Sequence, residues 1–398
     1  MKFRTPRTLQ ATLEQVSRIR GDLRLSLWAM IVILFPFYVF NSGVPQPADL
    51  LGFLLLPILL RTWNGRLPLP LVGSLKSLLT FMIYVVVVNV VWSIALFSFS
   101  INAKDGFLMA PTFYIFNGLM FFTFLLMFQR YGEFLLWLTV RLVLASVFLQ
   151  VFLSFALRGG RGRSTVMFNN PNQLGYYALL SACIILLGQK RLKLSTIQVT
   201  GGLIACSYLA LLSASKAALV SIGALGIALI ISKLRTIVVA ALVFAVLIVT
   251  DNPFSAAIER AQQRIENDQS YGFVEERGYD RITEFPEYWL MGSGEGAYRR
   301  FVGISAIGAH ELHSSMATLF FCYGIIGTLL FGMFLWRTMG GAELRAWLII
   351  GAGLAYGMTH QGLRFRLLWL LLGLVCTMRE LATRERAEQL ARKLGAGR

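Results

Sequence analysis

The chain has 398 residues, of which 56% are hydrophobic and 14% are charged. A soluble globular domain carries about 25% charged and about 45–50% apolar residues, so this composition excludes a soluble enzyme. Apolar runs of about 20 residues recur along most of the chain, and each can cross a hydrocarbon core of roughly 30 Å as a helix. A transmembrane β-barrel would instead show short alternating segments. The sequence therefore predicts an all-α polytopic membrane protein.

About twelve membrane spans follow one another along the chain. They are predicted at residues 25–40, 48–60, 75–97, 106–128, 134–157, 174–188, 198–213, 217–232, 235–250, 315–336, 344–359 and 365–378. The chain then divides into a basic cytoplasmic segment, spans one to nine, a long loop, spans ten to twelve and a cytoplasmic tail, at residues 1–24, 25–250, 251–314, 315–378 and 379–398. Because the apolar residues of the first segment recur at near-helical spacing, this segment is predicted to be an interfacial helix on the cytoplasmic face.

The distribution of Lys and Arg predicts the orientation, since short cytoplasmic loops carry an excess of basic residues. With both termini inside, most of the 37 basic residues fall in cytoplasmic segments, and the long loop of residues 251–314 lies outside. The net charge of +17 is then explained by basic residues that set the topology and contact anionic membrane lipid. It does not indicate nucleic acid as a partner.

The positions of the four cysteines indicate that they act as small apolar side chains and form no disulfide framework. Cys183, Cys206, Cys322 and Cys376 all fall within predicted spans. No pair has the spacing of a zinc site, so the sequence predicts four buried free thiols.

Charged residues within and between the spans separate the functional classes. No carboxylate is predicted in the middle of a span, although a proton- or sodium-coupled carrier usually needs one or a broken-helix ion site. Positive charge instead appears on the outer side, against the usual bias, at Arg158, Arg161, Arg163, Lys216, Arg364 and Arg366. Such residues favour binding of an anion such as a lipid diphosphate, which guanidinium groups grip with two hydrogen bonds. The alternative is contact with outer-leaflet lipid or with carboxylates of the loops.

The long loop carries further candidate residues. Residues 255–267 have the periodicity of an amphipathic helix, and Arg277 and Arg281 lie among aromatic residues. The glycines of residues 292–296 indicate turns. His313 closes the loop directly before the tenth span, where cationic neighbours would keep it neutral and suited to be a general base. An interfacial histidine bound to backbone is the alternative, and the other candidate bases are His310, Glu311 and Glu295.

Four spaced motifs resemble those of the O-antigen ligases and the related O-antigen polymerases. His313-Ser314 is followed after nine residues by Gly324 and, three residues later, by Gly327. Upstream, the other three motifs occur in the same order as in that family, at residues 163–175, 212–218 and 281–296. The resemblance covers about residues 163–327, whereas the first five spans are similar only in hydropathy.

This resemblance implies a GT-C-like membrane glycosyltransferase that takes a glycan from undecaprenyl diphosphate at the periplasmic face. It further implies inverting chemistry with no metal and no cofactor. His313 would activate the acceptor hydroxyl, and Arg281, the second catalytic residue, would grip the diphosphate together with Arg163. The diphosphate would be gripped by basic residues, for which the candidates are Arg163, Lys216, Arg161, Arg277 and Arg366. Lys216 stands where the family more often has Arg, which puts two-pronged phosphate contact there in doubt.

Ligase and polymerase activities both agree with these motifs. A ligase would use a sugar hydroxyl of the lipid A-core as acceptor, which the His-containing signature favours, and a polymerase would use the growing undecaprenyl-linked glycan. A lipid or polysaccharide transporter is the alternative from another class, and an internal repeat with an acidic coupling site would favour it.

Overall fold

The computed structural model describes residues 21–41, 43–96, 106–157, 164–230, 258–259, 262, 274, 277–301 and 311–395. Within these ranges the regular structure is helical throughout. The α-helices are α1 (Leu23–Leu34), α2 (Pro47–Leu60), α3 (Leu69–Ala95), α4 (Met109–Tyr131), α5 (Glu133–Ala156), α6 (Pro171–Arg191), α7 (Thr196–Ser213), α8 (Lys216–Ile230), α9 (Asp280–Glu284), α10 (Ser315–Ala317), α11 (Tyr323–Met339), α12 (Leu344–Ala355) and α13 (Arg366–Gly395). A π-helical turn (Thr318–Cys322) joins α10 to α11.

Five helical segments are long and apolar enough to cross a membrane, which supports the predicted membrane class. They are α3, α4, α5, α7 and the segment Ser315–Met339. Shorter apolar helices occupy Leu23–Leu34, Pro47–Leu60, Lys216–Gly226 and Leu344–Met358. Eleven of the predicted spans coincide with described helices, and the ninth, at residues 235–250, lies outside the described residues. Residues 1–20 of the predicted interfacial segment 1–24 and most of residues 255–267 also lie outside them.

The first span is shorter than predicted. α1 ends at Leu34 although the apolar run continues to residue 40. Pro36 follows closely, and a proline has no N–H with which to continue the helical hydrogen bonds. A side chain then pairs with the backbone N–H groups that follow. The Gln46 Oε1 accepts from the N–H of Val39 at 2.9 Å and of Phe40 at 3.0 Å.

The last helix is longer than its span. α13 continues through the predicted cytoplasmic tail to Gly395. Ion pairs four residues apart, Glu380 with Arg384 and Glu388 with Arg392, lie along this extension. Such pairs stabilise a helix in water, so the helix continues after its apolar residues end.

The core lies around α4, α6 and the first half of α13. Fifteen residues of α6 are buried, including Tyr176 and Tyr177, and α13 is buried continuously from Leu367 to Leu372. α6 falls outside the five candidate spans because it carries many small and polar residues. Such residues let neighbouring helices approach closely inside a bundle, so α6 packs against protein on all sides. The four cysteines are buried free thiols, as predicted.

The helix bundle has two ends with different chemistry. At one end α3 begins and α11 finishes, where the Ser74 hydroxyl donates to the Arg337 carbonyl at 3.0 Å. Arg191, at the end of α6, pairs there with Glu133 and Glu385 at 3.2 and 2.7 Å. The other end, where α3 finishes and α4, α6 and α13 begin, carries the candidate residues and is called the site end below.

Candidate active site

His313 is exposed on a segment whose neighbours are buried. Leu312 is 1% exposed, Ser314 is fully buried and Ser315 is 3% exposed. Ser314 caps α10, because its Oγ accepts from the backbone N–H of Ala317 at 3.1 Å. The same Oγ donates to the Gly357 carbonyl at 3.1 Å. The imidazole therefore projects from a backbone that is fixed on both sides.

The chain between α12 and α13 holds this segment from the other side. The backbone N–H and the hydroxyl of Ser315 both donate to the His360 carbonyl at 3.1 Å. The Gln361 Nε2 donates to the Leu312 carbonyl and to the Thr318 Oγ1, both at 2.6 Å. A side chain aligned by several hydrogen bonds to its backbone loses little orientational freedom when it acts, as catalysis requires.

Arg281 reaches the same place through the turn that begins α9. Gly278 has a φ of +76°, and a Cβ added there would lie 2.3 Å from the Leu312 Cδ2 and 3.9 Å from the Arg281 Nε. The next residue, Tyr279, places its hydroxyl 2.8 Å from the Ser314 Oγ and donates to the Met358 carbonyl at 2.8 Å. The structure therefore packs the segment that leads to Arg281 against the segment that carries His313.

The Arg281 guanidinium lies in an aromatic environment. Arg281 is 4% exposed, and its Cζ lies 5.8 Å from the ring centroids of both Tyr298 and Phe301. Burial lowers the pKa of Arg281 from its ordinary value. A guanidinium group is not deprotonated in proteins, so the side chain stays charged and supplies a fixed cation beside the His313 segment.

A buried carboxylate, Glu295, organises the rest of the site end. Its side chain has no exposed surface, and its Oε1 pairs with Arg364, which also pairs with Glu311. Its Oε2 accepts from the hydroxyls of Tyr323 at 2.6 Å and Tyr114 at 3.1 Å. Both carboxylate oxygens are engaged, so Glu295 has a structural environment, in contrast to the exposed His313.

Arg300 is a residue of the site end that the sequence analysis passed over. Its Cζ lies between 4.6 and 5.6 Å from the ring centroids of Trp92, Phe107, Tyr288 and Phe301. The guanidinium donates to the Ser293 carbonyl, and its Nε and Nη1 are buried without a hydrogen-bond partner among the described residues. Burial lowers its pKa from the ordinary value. The only sequence signal was its place just after the glycine-rich residues 292–296, and glycines alone do not predict an aromatic cage.

The glycine signature has a steric role that the structure makes visible. Gly324 has a φ of +65° and breaks the helix just after the start of α11. A Cβ on it would lie 2.4 Å from the Leu290 carbonyl oxygen. The carbonyls that the break frees accept from the loop, Phe321 from the Ser293 N–H and Cys322 from the Gly294 N–H, both at 2.9 Å. Gly324 of the signature therefore allows residues 289–294 to pack against the helix. Gly327, the other glycine of the signature, packs against the ring of Tyr84 on α3.

The predicted diphosphate residues lie at several places. Lys216 is partly buried as the first residue of α8, and Arg277 is partly buried just before α9. Arg161 and Arg163 lie outside the described residues, as does His310. The chain directly after Arg163 returns to the region of Lys216, because the Ser164 N–H donates to the Leu212 carbonyl at 3.1 Å.

A link also joins the start of α6 to the site end. The Tyr356 hydroxyl donates to the Asn172 carbonyl at 2.8 Å, and the Tyr356 ring lies 4.8 Å from that of His360. Asn172 belongs to the first turn of α6, which the Asn170 side chain caps. The motif at residues 163–175 thus contacts the chain that holds the His313 segment.

Arg366 is held in a buried ion pair. The residue is 7% exposed, and its guanidinium pairs with Asp49 of α2, which is 4% exposed. The Asp49 Oδ2 also accepts from the Gln46 N–H at 2.6 Å. Arg366 therefore has a carboxylate partner inside the protein, so its charge is compensated without a ligand.

Comparisons with known proteins add no name. No model of a protein family matches the chain, and no curated protein matches its sequence.

Proposed function

We propose that this chain is an O-antigen ligase-like glycosyltransferase. It would move a glycan from undecaprenyl diphosphate to a sugar hydroxyl of the lipid A-core. The observation that carries the proposal is the exposed imidazole of His313 on a hydrogen-bonded segment against which the approach to Arg281 packs. These are the two residues that the resemblance assigns to catalysis, and they lie 32 positions apart in the sequence.

Glycosyl transfer by these residues needs no reactant besides the donor and the acceptor. The acceptor oxygen forms a bond to the anomeric carbon, and the bond from that carbon to the diphosphate oxygen breaks, with its electron pair leaving on the diphosphate. His313 takes the proton of the acceptor hydroxyl as general base. Attack opposite the diphosphate inverts the anomeric centre, and fixed cations stabilise the departing charge with no metal ion.

The diphosphate grip is assigned to Arg163 and Arg281, with Lys216, Arg161 and Arg277 as further contacts. Support comes from the hydrogen bond of Ser164 to Leu212, which ties the chain after Arg163 to the segment before Lys216. Support is weakest for Arg366, since Asp49 already compensates its charge.

The proposed topology has about twelve spans in a GT-C-like arrangement in the bacterial inner membrane. The site end would face the periplasm and both termini the cytoplasm. Arg191, Arg337 and Arg379 lie at the opposite end, where the Arg379 guanidinium donates to the Arg337 carbonyl. Basic residues at that end agree with a cytoplasmic face.

Glycolipid analysis of a deletion strain tests the proposal. The strain is complemented with wild type, His313→Ala or the control Met316→Ala, which changes an exposed side chain three residues away. We expect His313→Ala to leave the lipid A-core bare while long polymer accumulates on undecaprenyl diphosphate. Wild-type glycan from well-expressed His313→Ala would reject the role of His313 and direct attention to His310 or Glu295.

The same experiment separates the alternatives. Surface glycan shortened to one repeat unit in the deletion strain would identify a polymerase that uses the growing undecaprenyl-linked glycan. An unchanged glycolipid profile would reject both transferase activities for that glycan and favour the transporter.

A further inference from the structure

A non-helical segment of the long loop lies alongside α3. The Tyr84 hydroxyl donates to the Met291 carbonyl at 2.8 Å, and the Trp92 Nε1 donates to the Gly292 carbonyl at 3.0 Å. Tyr84 and Trp92 precede the end of α3 at Ala95 by 11 and 3 residues. At 1.5 Å per residue these are about 16 and about 5 Å along the helix. The segment therefore lies beside the span, between those two levels.

The broken helix gives the same depth independently. The Ile325 N–H donates to the Trp289 carbonyl at 2.7 Å, and the Ile326 N–H donates to the Leu290 carbonyl at 3.3 Å. These two donors follow Ser315, the first residue of the candidate span Ser315–Met339, by 10 and 11 residues. They lie about 15 Å from its start on the helical rise.

The chain descends to this level and returns. Tyr288 packs on Trp92 with ring centroids 5.5 Å apart, close to the end of α3. Met291 then bonds to the deeper Tyr84, and at Gly294 the chain is again beside Trp92, where an added Cβ would lie 2.8 Å from the Trp92 Cδ1. Non-helical backbone is tolerated at membrane depth only where protein satisfies its polar groups, and the break at Gly324 provides that satisfaction.

Three consecutive large apolar side chains project outward from the deepest part. Trp289 is 44% exposed, Leu290 61% and Met291 59%. The two helices that this segment contacts, α3 and α11, each carry a stripe of exposed apolar residues at helical spacing. The α3 stripe is Ile83, Val87, Val91 and Ile94, and the α11 stripe is Ile325, Leu329, Met333 and Trp336.

We propose that residues 288–292 re-enter the membrane beside α3 and α11, and that Trp289, Leu290 and Met291 contact lipid acyl chains. The two flanking stripes belong to helices apolar enough to cross a membrane, so the hydrocarbon that covers them covers the tip between them. In water the three side chains would join these stripes into a large exposed apolar surface, which soluble surfaces avoid. The proposal does not depend on the glycosyltransferase activity.

Spin-label accessibility in vesicles of phosphatidylcholine and phosphatidylglycerol tests this placement. A nitroxide is attached to Met291→Cys in the full chain, and its collisions with oxygen, which concentrates in hydrocarbon, are compared with those of water-soluble nickel-EDDA. Leu329→Cys on α11 gives the lipid reference, and Glu388→Cys on the exposed end of α13 gives the aqueous reference. The unsubstituted chain, whose four cysteines are buried, gives the background labelling.

We expect the ratio of oxygen to nickel collisions at Met291→Cys to match that at Leu329→Cys and to exceed that at Glu388→Cys. A ratio equal to that at Glu388→Cys would overturn the proposal, because the tip would then lie in water. Leu290→Cys carries the same measurement if Met291→Cys does not fold. A lipid-like ratio in a chain that fails the glycolipid test would leave the re-entrant segment in place and reject only the enzymatic activity.

Discussion

The Tyr279 hydroxyl lies 2.8 Å from the Ser314 Oγ and donates to the Met358 carbonyl. One phenol therefore joins the start of α9, the residue after His313 and the chain between α12 and α13. Because Ser314 also caps α10, we expect a change at Tyr279 to alter the orientation of the neighbouring His313.

Removing this hydroxyl tests whether the orientation matters. We expect Tyr279→Phe to lower glycan transfer by about tenfold, since small misplacements of a catalytic group reduce rates strongly, while the protein stays folded. The control is Tyr131→Phe, which removes the 2.5 Å bond to Asp22 on a phenol outside the site. Equal transfer by both variants, measured as glycan on the lipid A-core, would argue against an orienting role for Tyr279.

Glu295 is expected to contribute mainly to stability. Glu295→Gln leaves the partly buried Arg364 without its buried carboxylate partner, and breaking such a pair costs about 3 kcal/mol. The matched control is Glu311→Gln, which removes the other partner of Arg364 at a side chain 39% exposed and should cost less than about 1 kcal/mol. Thermal unfolding in detergent measures both variants, and a larger loss at Glu311 would contradict the assignment of Glu295 as the buried anchor.

The break at Gly324 gives a steric prediction. Gly324→Ala would place a Cβ 2.4 Å from the Leu290 carbonyl oxygen at a φ of +65°, so we expect a marked loss of folded protein. Gly332→Ala is the control, because it lies on the same helix with nothing within 4 Å of the added Cβ. In a helix that change gains up to about 1 kcal/mol. The unfolding temperature should therefore fall for Gly324→Ala and rise for Gly332→Ala. Size-exclusion chromatography should show a loss of folded protein for Gly324→Ala alone.

The pair of Arg366 and Asp49 separates structure from ligand binding. Arg366→Met alone leaves a buried carboxylate unpaired, which costs about 3–5 kcal/mol. The double variant with Asp49→Leu should regain most of that stability. If Arg366 serves only the fold, the double variant also regains glycan transfer.

A folded double variant without transfer would instead assign Arg366 to the donor diphosphate. Folded yield and transfer measured on the same preparations distinguish these results. The exposed Arg299 offers a matched variant, Arg299→Met, which removes an arginine charge at the site end.

The sequence determined the membrane class, the positions of eleven described helices and the buried state of the cysteines. These follow from local patterns, because a run of apolar residues and the residues that end it lie next to each other in the chain. The overlong first span shows the limit of such patterns. The apolar run continued beyond Leu34, and the side chain of Gln46, which no periodicity singles out, accepts from the backbone N–H groups of Val39 and Phe40.

The tertiary structure alone decided which residues meet. Glu295 and Arg364 are 69 positions apart, and no spacing rule predicts that the loop carboxylate is buried against that arginine. The break at Gly324 likewise depends on the carbonyl groups of Trp289 and Leu290, which accept from the N–H groups of Ile325 and Ile326 and whose contact with the helix is invisible in sequence. Periodicity determines which faces of a helix are apolar, whereas the neighbour that covers each face, whether protein or lipid, is set by the packing of the whole chain.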